Sequence, residues 1–158
     1  MNATQAESIQ AGRTQPLRVV LFGGSACTPD QPDFATAGAI GRAVARQGWT
    51  LVNGGYGGTM LASAQGAVEA GGRVIGVACS IFRSAPSACL HETLWTDNLF
   101  DRMRRLIELG DAYVCLPGST GTLAELAMVW ELMNKRQIPV RPLICWGAYW
   151  RPVVSIFD

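Results

Sequence analysis

The sequence contains a single lysine, Lys135, and a single histidine, His91. Pyridoxal phosphate needs a lysine amine at its pocket for the Schiff base, and Lys135 falls late on a predicted helix, away from every glycine turn, so that chemistry is excluded. A P-loop needs lysine directly after its second glycine, and Thr122 stands there instead. Five cysteines, Cys27, Cys79, Cys89, Cys115 and Cys145, contain no C-x-x-C pair, and only Cys89 approaches the histidine. No metal site is expected, and the odd, widely spaced thiols read as buried and reduced. No stretch of about 18 apolar residues is present to span a membrane, and residues 1–15 are polar, without the apolar centre of a secretion signal. A cytoplasmic protein is expected. Charge of one sign is also missing: the net value is +1, and apart from Arg102, Arg104 and Arg105 the arginines are scattered. That excludes the basic stripe required by a nucleic acid polymer or a membrane surface.

The 158 residues present, 49% hydrophobic and 16% charged, suit one globular domain. A disordered tail is expected over residues 1–16 and a single domain over 17–158. Apolar runs at 17–22, 49–52, 73–78, 112–116 and 140–146 read as five strands, the continuous ones as strands covered on both faces. Helical periodicity falls at 35–47, 61–70, 98–109, 123–136 and 146–157, while 82–92 reads as irregular. In the first helix Ile40, Val44 and Ala45 face inward, and in the second Ala62, Ala64, Gly66, Ala67 and Ala70 allow close packing on the sheet. In the third, Leu99, Phe100, Met103, Leu106 and Ile107 form the apolar stripe. Trp130, Trp146 and Trp150 belong either to a dimer surface or to the core. Strands alternating with helices give an α/β fold: a Rossmann-like, doubly wound parallel sheet with right-handed crossovers.

Three strand ends are rich in glycine. The first strand runs into Gly23, Gly24 and Ser25, where ligands of α/β sheets usually bind. The second ends in NGGYGGTM, with Gly54, Gly55, Gly57 and Gly58 ahead of Thr59 and Met60, more glycine than a plain turn requires. The third is LPGSTGTLAE, from Leu116 to Glu125. There Gly118 and Gly121 allow a tight turn whose backbone N–H groups converge where the next helix begins, and Thr120 and Thr122 add hydroxyl donors. Such a concavity suits an anion, favoured by roughly 0.3–1 kcal/mol through the helix dipole alone.

Two charged residues accompany that turn. Glu125, at the start of the helix, would repel a phosphate. It is a T-x-x-E cap with Thr122, a carboxylate acting on the sugar next to the phosphate, or both at once. Arg102 lies beside the apolar stripe of the preceding helix, either covering apolar surface or reaching a pocket, while Arg105 faces solvent.

The combination of FGGS, GGYGGTM and PGSTGTLAE resembles the LOG (Lonely Guy) family, once labelled putative lysine decarboxylases, over residues 17–157. The family pattern PGGxGTxxE, preceded by an arginine on the foregoing helix, is filled here by Glu125 and Arg102. The resemblance implies a Rossmann-like homodimer that hydrolyses the N-glycosidic bond of a nucleoside 5′-monophosphate, best known for cytokinin-type N6-substituted adenosine monophosphates, with no cofactor. It implies that Gly118, Thr120, Gly121 and Thr122, with Ser119 between them, hold the 5′-phosphate. Glu125 would then act on the ribose, and Arg102 would position that carboxylate or assist departure of the base. The other glycine turns, with Gly24, Ser25, Gly54, Gly55, Gly57, Gly58, Thr59 and Met60, are expected to complete the substrate site. The chain departs from the family at Ser119 for the second glycine, Ala124 for an extra glutamate and Met103 for a lysine after the arginine. A closing element seen in relatives after the last helix is expected to be absent. A binder of the same fold, such as a molybdenum cofactor carrier or a sensor, would need the glycine loops but not the acid.

Overall fold

A computed structural model describes residues 15–157, so most of the predicted tail lies outside the described residues. Continuous apolar runs form the inner strands because both faces of a parallel sheet are covered. All residues of β2 (Thr50–Asn53) and β3 (Val74–Cys79) are buried, as are all but the first of β1 (Arg18–Phe22) and β5 (Ala112–Cys115). With β4 (Glu92–Thr96) and β6 (Leu143–Cys145) they make a six-stranded sheet in the order β4-β3-β2-β1-β5-β6, every pair parallel. Helices α1 (Pro32–Arg46) and α2 (Thr59–Glu69) enclose one apolar core with Val19, Leu21, Leu51 and Val74. Helices α3 (Leu99–Leu109), α4 (Thr120–Asn134) and α5 (Arg151–Phe157) contribute to a second core with Val20, Phe22, Val52 and Tyr113. The fold is the doubly wound, Rossmann-like sheet read from the alternation of elements. Strand order reverses between β1 and β5, which makes their C-terminal ends the topological switch point.

Several local expectations are corrected. Strand β4 lies partly in and just after the stretch read as irregular; as an edge strand it is half-exposed, with Trp95 60% exposed, so it lacks the unbroken apolar signature of its neighbours. The last strand is only Leu143–Cys145, because Pro139 and Pro142 cannot donate to a ladder and Val140 faces solvent. On α3, Leu99 and Phe100 are exposed, and the buried positions are Leu106, Ile107 and Leu109. The small face of α2 packs chiefly on α1. A Cβ on Gly66 would overlap the Gly38 carbonyl, and one on Gly41 the Ser63 carbonyl, so the two backbones touch. Trp150 is core, Trp146 is half-exposed and Trp130 half-buried. Cys79 and Cys115 are buried free thiols, whereas Cys27, Cys89 and Cys145 are only partly covered. No helix among the described residues is long and apolar enough to cross a membrane.

Candidate active site at the switch point

The three glycine turns meet at one edge of the sheet. Gly24 N–H donates to the Pro117 carbonyl (3.0 Å), and the Gly24 carbonyl accepts from Thr59 N–H (3.0 Å) and the Thr59 hydroxyl (3.3 Å). Adjacent strands are about 4.8 Å apart, so β2, β1 and β5 bring these turns side by side. Positive φ angles at Gly55 (80°) and Gly58 (64°) explain part of the glycine excess, since L side chains rarely adopt them. A Cβ on Gly58 would also overlap the Gly24 carbonyl.

Asn53, unremarked in the sequence, ties the second turn together. Its Nδ2 donates to the Met60 carbonyl (2.9 Å) and Ser63 Oγ (3.2 Å), and its Oδ1 accepts from Gly55 N–H (2.8 Å). A fully buried amide with these partners has its polar capacity largely met. The available signal was a polar residue closing an apolar strand directly before glycine.

Helix α4 starts at Thr120, with Ser119 as its N-cap, and Ser119 makes no side-chain capping bond. The capping box is thereby overturned: Thr122 is inside the first turn, and Glu125 belongs to the second turn rather than the first. A Cβ on Gly118 would overlap the Thr122 side chain, whereas one on Gly121 would meet open space. The tight spot is therefore Gly118.

A cavity of about 450 Å³ opens over these turns, within the size range of small-molecule sites. Arg102, Glu125, Ser119 and Thr122 line it, together with Ser25, Gly54, Gly57 and Met60. The other sequence candidates stand behind this lining. Gly24 and Thr59 knit the turns, Gly55 and Gly58 shape the second, and Gly118, Thr120 and Gly121 belong to the turn and first helical residues around Ser119. Tyr56, Phe82 and Arg83 also line the cavity and were missed. Tyr56 could have been noticed as the one bulky residue inside a glycine run; the loop after β3 carried no such signal.

Arg102 reaches across from α3. Its Nε donates to the Val77 carbonyl (2.9 Å) and its Nη2 to the Gly54 carbonyl (3.1 Å). Nη1 faces Glu125 Oε1 at 3.7 Å, with the two side chains 12% and 14% exposed. The guanidinium carbon also lies 5.9 Å from the Tyr56 ring and 5.5 Å from the Phe82 ring, within cation–π range. Of the two sequence alternatives for Arg102, the pocket is the one seen. Space at Gly54 is part of this, because a Cβ there would overlap the guanidinium. Burial pushes the Glu125 carboxyl up to about 7, and Arg102 opposes the shift by favouring the ionised form. A carboxyl so tuned can hold or give up a proton near neutral pH. Among the described residues, no three His, Cys, Asp or Glu side chains gather to hold a metal ion.

Residues 16–141 match the profile of the SLOG cluster4 family. The chain is 32% identical over 152 residues to a cytokinin riboside 5′-monophosphate phosphoribohydrolase of Rhodococcoides fascians, covering 92% of this chain and 76% of that protein. It is likewise 32% identical over 118 residues to the Mycobacterium tuberculosis protein of the same name, covering 72% of this chain and 63% of that one. Among solved structures, the molybdenum cofactor binding protein of Rippkaea orientalis aligns with a TM-score of 0.74 at 24% identity, over 92% of this chain and 86% of that chain, a likeness of fold. The molybdenum cofactor carrier protein of Chlamydomonas reinhardtii aligns at 0.68 and 25%, over 90% and 85%. The chain belongs to the SLOG cluster4 family, within the LOG proteins that its motifs resemble.

Proposed function

We propose that the protein hydrolyses the N-glycosidic bond of nucleoside 5′-monophosphates, adenosine monophosphate and its N6-substituted forms, releasing free base and ribose 5-phosphate. The observation that carries this reading is the pairing of Arg102 with Glu125 in the same cavity as the N-terminus of α4. Strand order supports an arrangement of the substrate along the cavity. Ser119 and Thr122 beyond β5 receive the 5′-phosphate, Glu125 in the next turn faces the ribose, and Phe82 and Arg83 beyond β3 border the base.

In the reaction the bond from C1′ to the base nitrogen breaks, a water oxygen bonds to C1′, and the departing base takes up a proton. The sugar develops positive charge, which ionised Glu125 stabilises directly or through the water that it orients. Arg102, held by the Val77 and Gly54 carbonyls, fixes that carboxylate and keeps a share of it ionised. No cofactor enters the scheme. A homodimer in the cytoplasm is part of the same proposal, and Trp95 and Phe100 are among the exposed apolar side chains that could serve its interface.

The second reading, a non-catalytic binder, is favoured by the fold shared with the two molybdenum cofactor proteins. It would use the glycine turns and leave the Arg102–Glu125 pair without a task. Incubation with AMP and with N6-isopentenyl AMP, with free base followed by chromatography beside a Glu125→Ala control, separates the two. Base released by wild type alone supports the hydrolase; saturable AMP binding without release supports the binder.

A further inference from the structure

The phosphate turn is held from behind by two aromatic side chains that neither the motifs nor the family positions single out. Trp150, buried in the core, donates from Nε1 to the Leu116 carbonyl (3.0 Å). Tyr149, stacked edge-on against Trp150 with ring centroids 4.9 Å apart, donates its hydroxyl to the Gly118 carbonyl (2.8 Å). Both carbonyls lie in the segment between β5 and α4, and neither aromatic lines the cavity.

The second hydrogen bond has a directional consequence. The peptide joining Gly118 to Ser119 is trans, so its C=O and N–H point in opposite directions across a rigid plane. Turning the Gly118 carbonyl toward Tyr149 therefore turns the Ser119 N–H away from Tyr149. That N–H has no acceptor among the described residues, and Ser119 lines the cavity. The neighbouring planes are fixed by Gly24 N–H on the Pro117 carbonyl and Leu123 N–H on the Ser119 carbonyl. Among the described residues the Tyr149 hydroxyl is the one hydrogen-bond partner of the plane between them, and Gly118 tolerates a wide range of ψ.

We propose that Tyr149 is a positioning residue for the anion site: its hydroxyl sets the Gly118–Ser119 peptide so that the Ser119 N–H joins the first-turn amides of α4 in receiving the substrate's 5′-phosphate. The inference rests on the nucleotide reading of the site, but it concerns binding of the phosphate and not the hydrolytic step.

Tyr149→Phe removes the hydroxyl and keeps the ring on Trp150. One hydrogen bond's worth of alignment predicts that KM for AMP and Kd for ribose 5-phosphate, the latter by calorimetry, both rise about fivefold. The turnover number stays within about twofold, as expected where uniform binding is lost. Binding of free adenine, which has no phosphate, stays unchanged, and the thermal midpoint falls by no more than the few degrees one hydrogen bond supplies. An unaltered Kd for ribose 5-phosphate in the variant, an equal loss for adenine, or no ribose 5-phosphate binding to wild type at millimolar concentration would overturn the proposal. Absence of AMP hydrolysis by wild type would count against the reaction alone, because the calorimetric comparison does not depend on turnover.

Discussion

Arg102 Nη1 and Glu125 Oε1 stand 3.7 Å apart in the lining of the cavity, although they come from different helices. Arg102 is already held by two backbone carbonyls, so its guanidinium reaches the carboxylate pre-oriented. Burial outweighs this attraction, so the carboxyl holds its proton more tightly than an exposed one even with the guanidinium beside it.

Glu125→Gln keeps the shape of the side chain and removes its charge. Turnover of AMP is expected to fall by at least about a hundredfold, the usual contribution of a positioned acid–base group. AMP binding is retained in the same variant, measured by equilibrium titration. Loss of binding together with turnover would count against the role assigned to Glu125.

The pH profile follows from the burial of Glu125. If the ionised carboxylate does the work, kcat/KM rises through a limb near 7. Arg102 favours ionisation, so Arg102→Met should move that limb to higher pH as well as lowering its plateau. A limb that moves to lower pH, or disappears, contradicts the assignment.

The same carboxyl affects stability, with a definite sign. Its proton is held more tightly in the folded state than the ordinary value of 4.5, so this stabilisation is fully present below about 4.5 and lost as pH rises through about 7. Relative to wild type, Glu125→Gln should be equally stable at pH 4 and more stable by roughly 3 kcal/mol at pH 8. Urea unfolding at the two pH values measures the difference.

Glycines in the site separate packing from ligand contact. Gly54→Ala places a methyl where the Arg102 guanidinium sits, and activity should drop about tenfold or more from a displacement of this size. Gly121→Ala meets open space on the first turn of α4, so the free protein should gain about 0.5 kcal/mol. AMP affinity falls in that variant if phosphate approaches this turn, and stays constant if it does not.

The α1–α2 contact offers a test away from the site. Gly41→Ala drives a methyl into the Ser63 carbonyl, and backbone cannot swing aside as a flexible side chain can. A loss of about 1–3 kcal/mol is expected, read as a lower denaturation midpoint with unchanged m-value. A neutral effect would show that the two helices separate easily.

Strand and helix alternation was legible because it is written in local periodicity: β1, β2, β3 and β5 are covered on both faces and need unbroken apolar runs. The glycine turns were legible for the same kind of reason, since a positive φ or a close backbone approach constrains the residue at its own position, as at Gly55 and Gly58. By themselves, therefore, the residues determined the fold class, the three turns and the identity of Arg102 and Glu125 as candidates. Tertiary structure decided what depends on residues distant along the chain. It gave β4 its edge position, seated α2 against α1, started α4 early enough to put Glu125 in the second turn, and let Asn53 and Tyr149 satisfy backbone groups of the turns. A hydrogen bond between Tyr149 and Gly118 leaves no periodic trace in either segment, because its partners meet only after the sheet has brought β5 and β6 side by side.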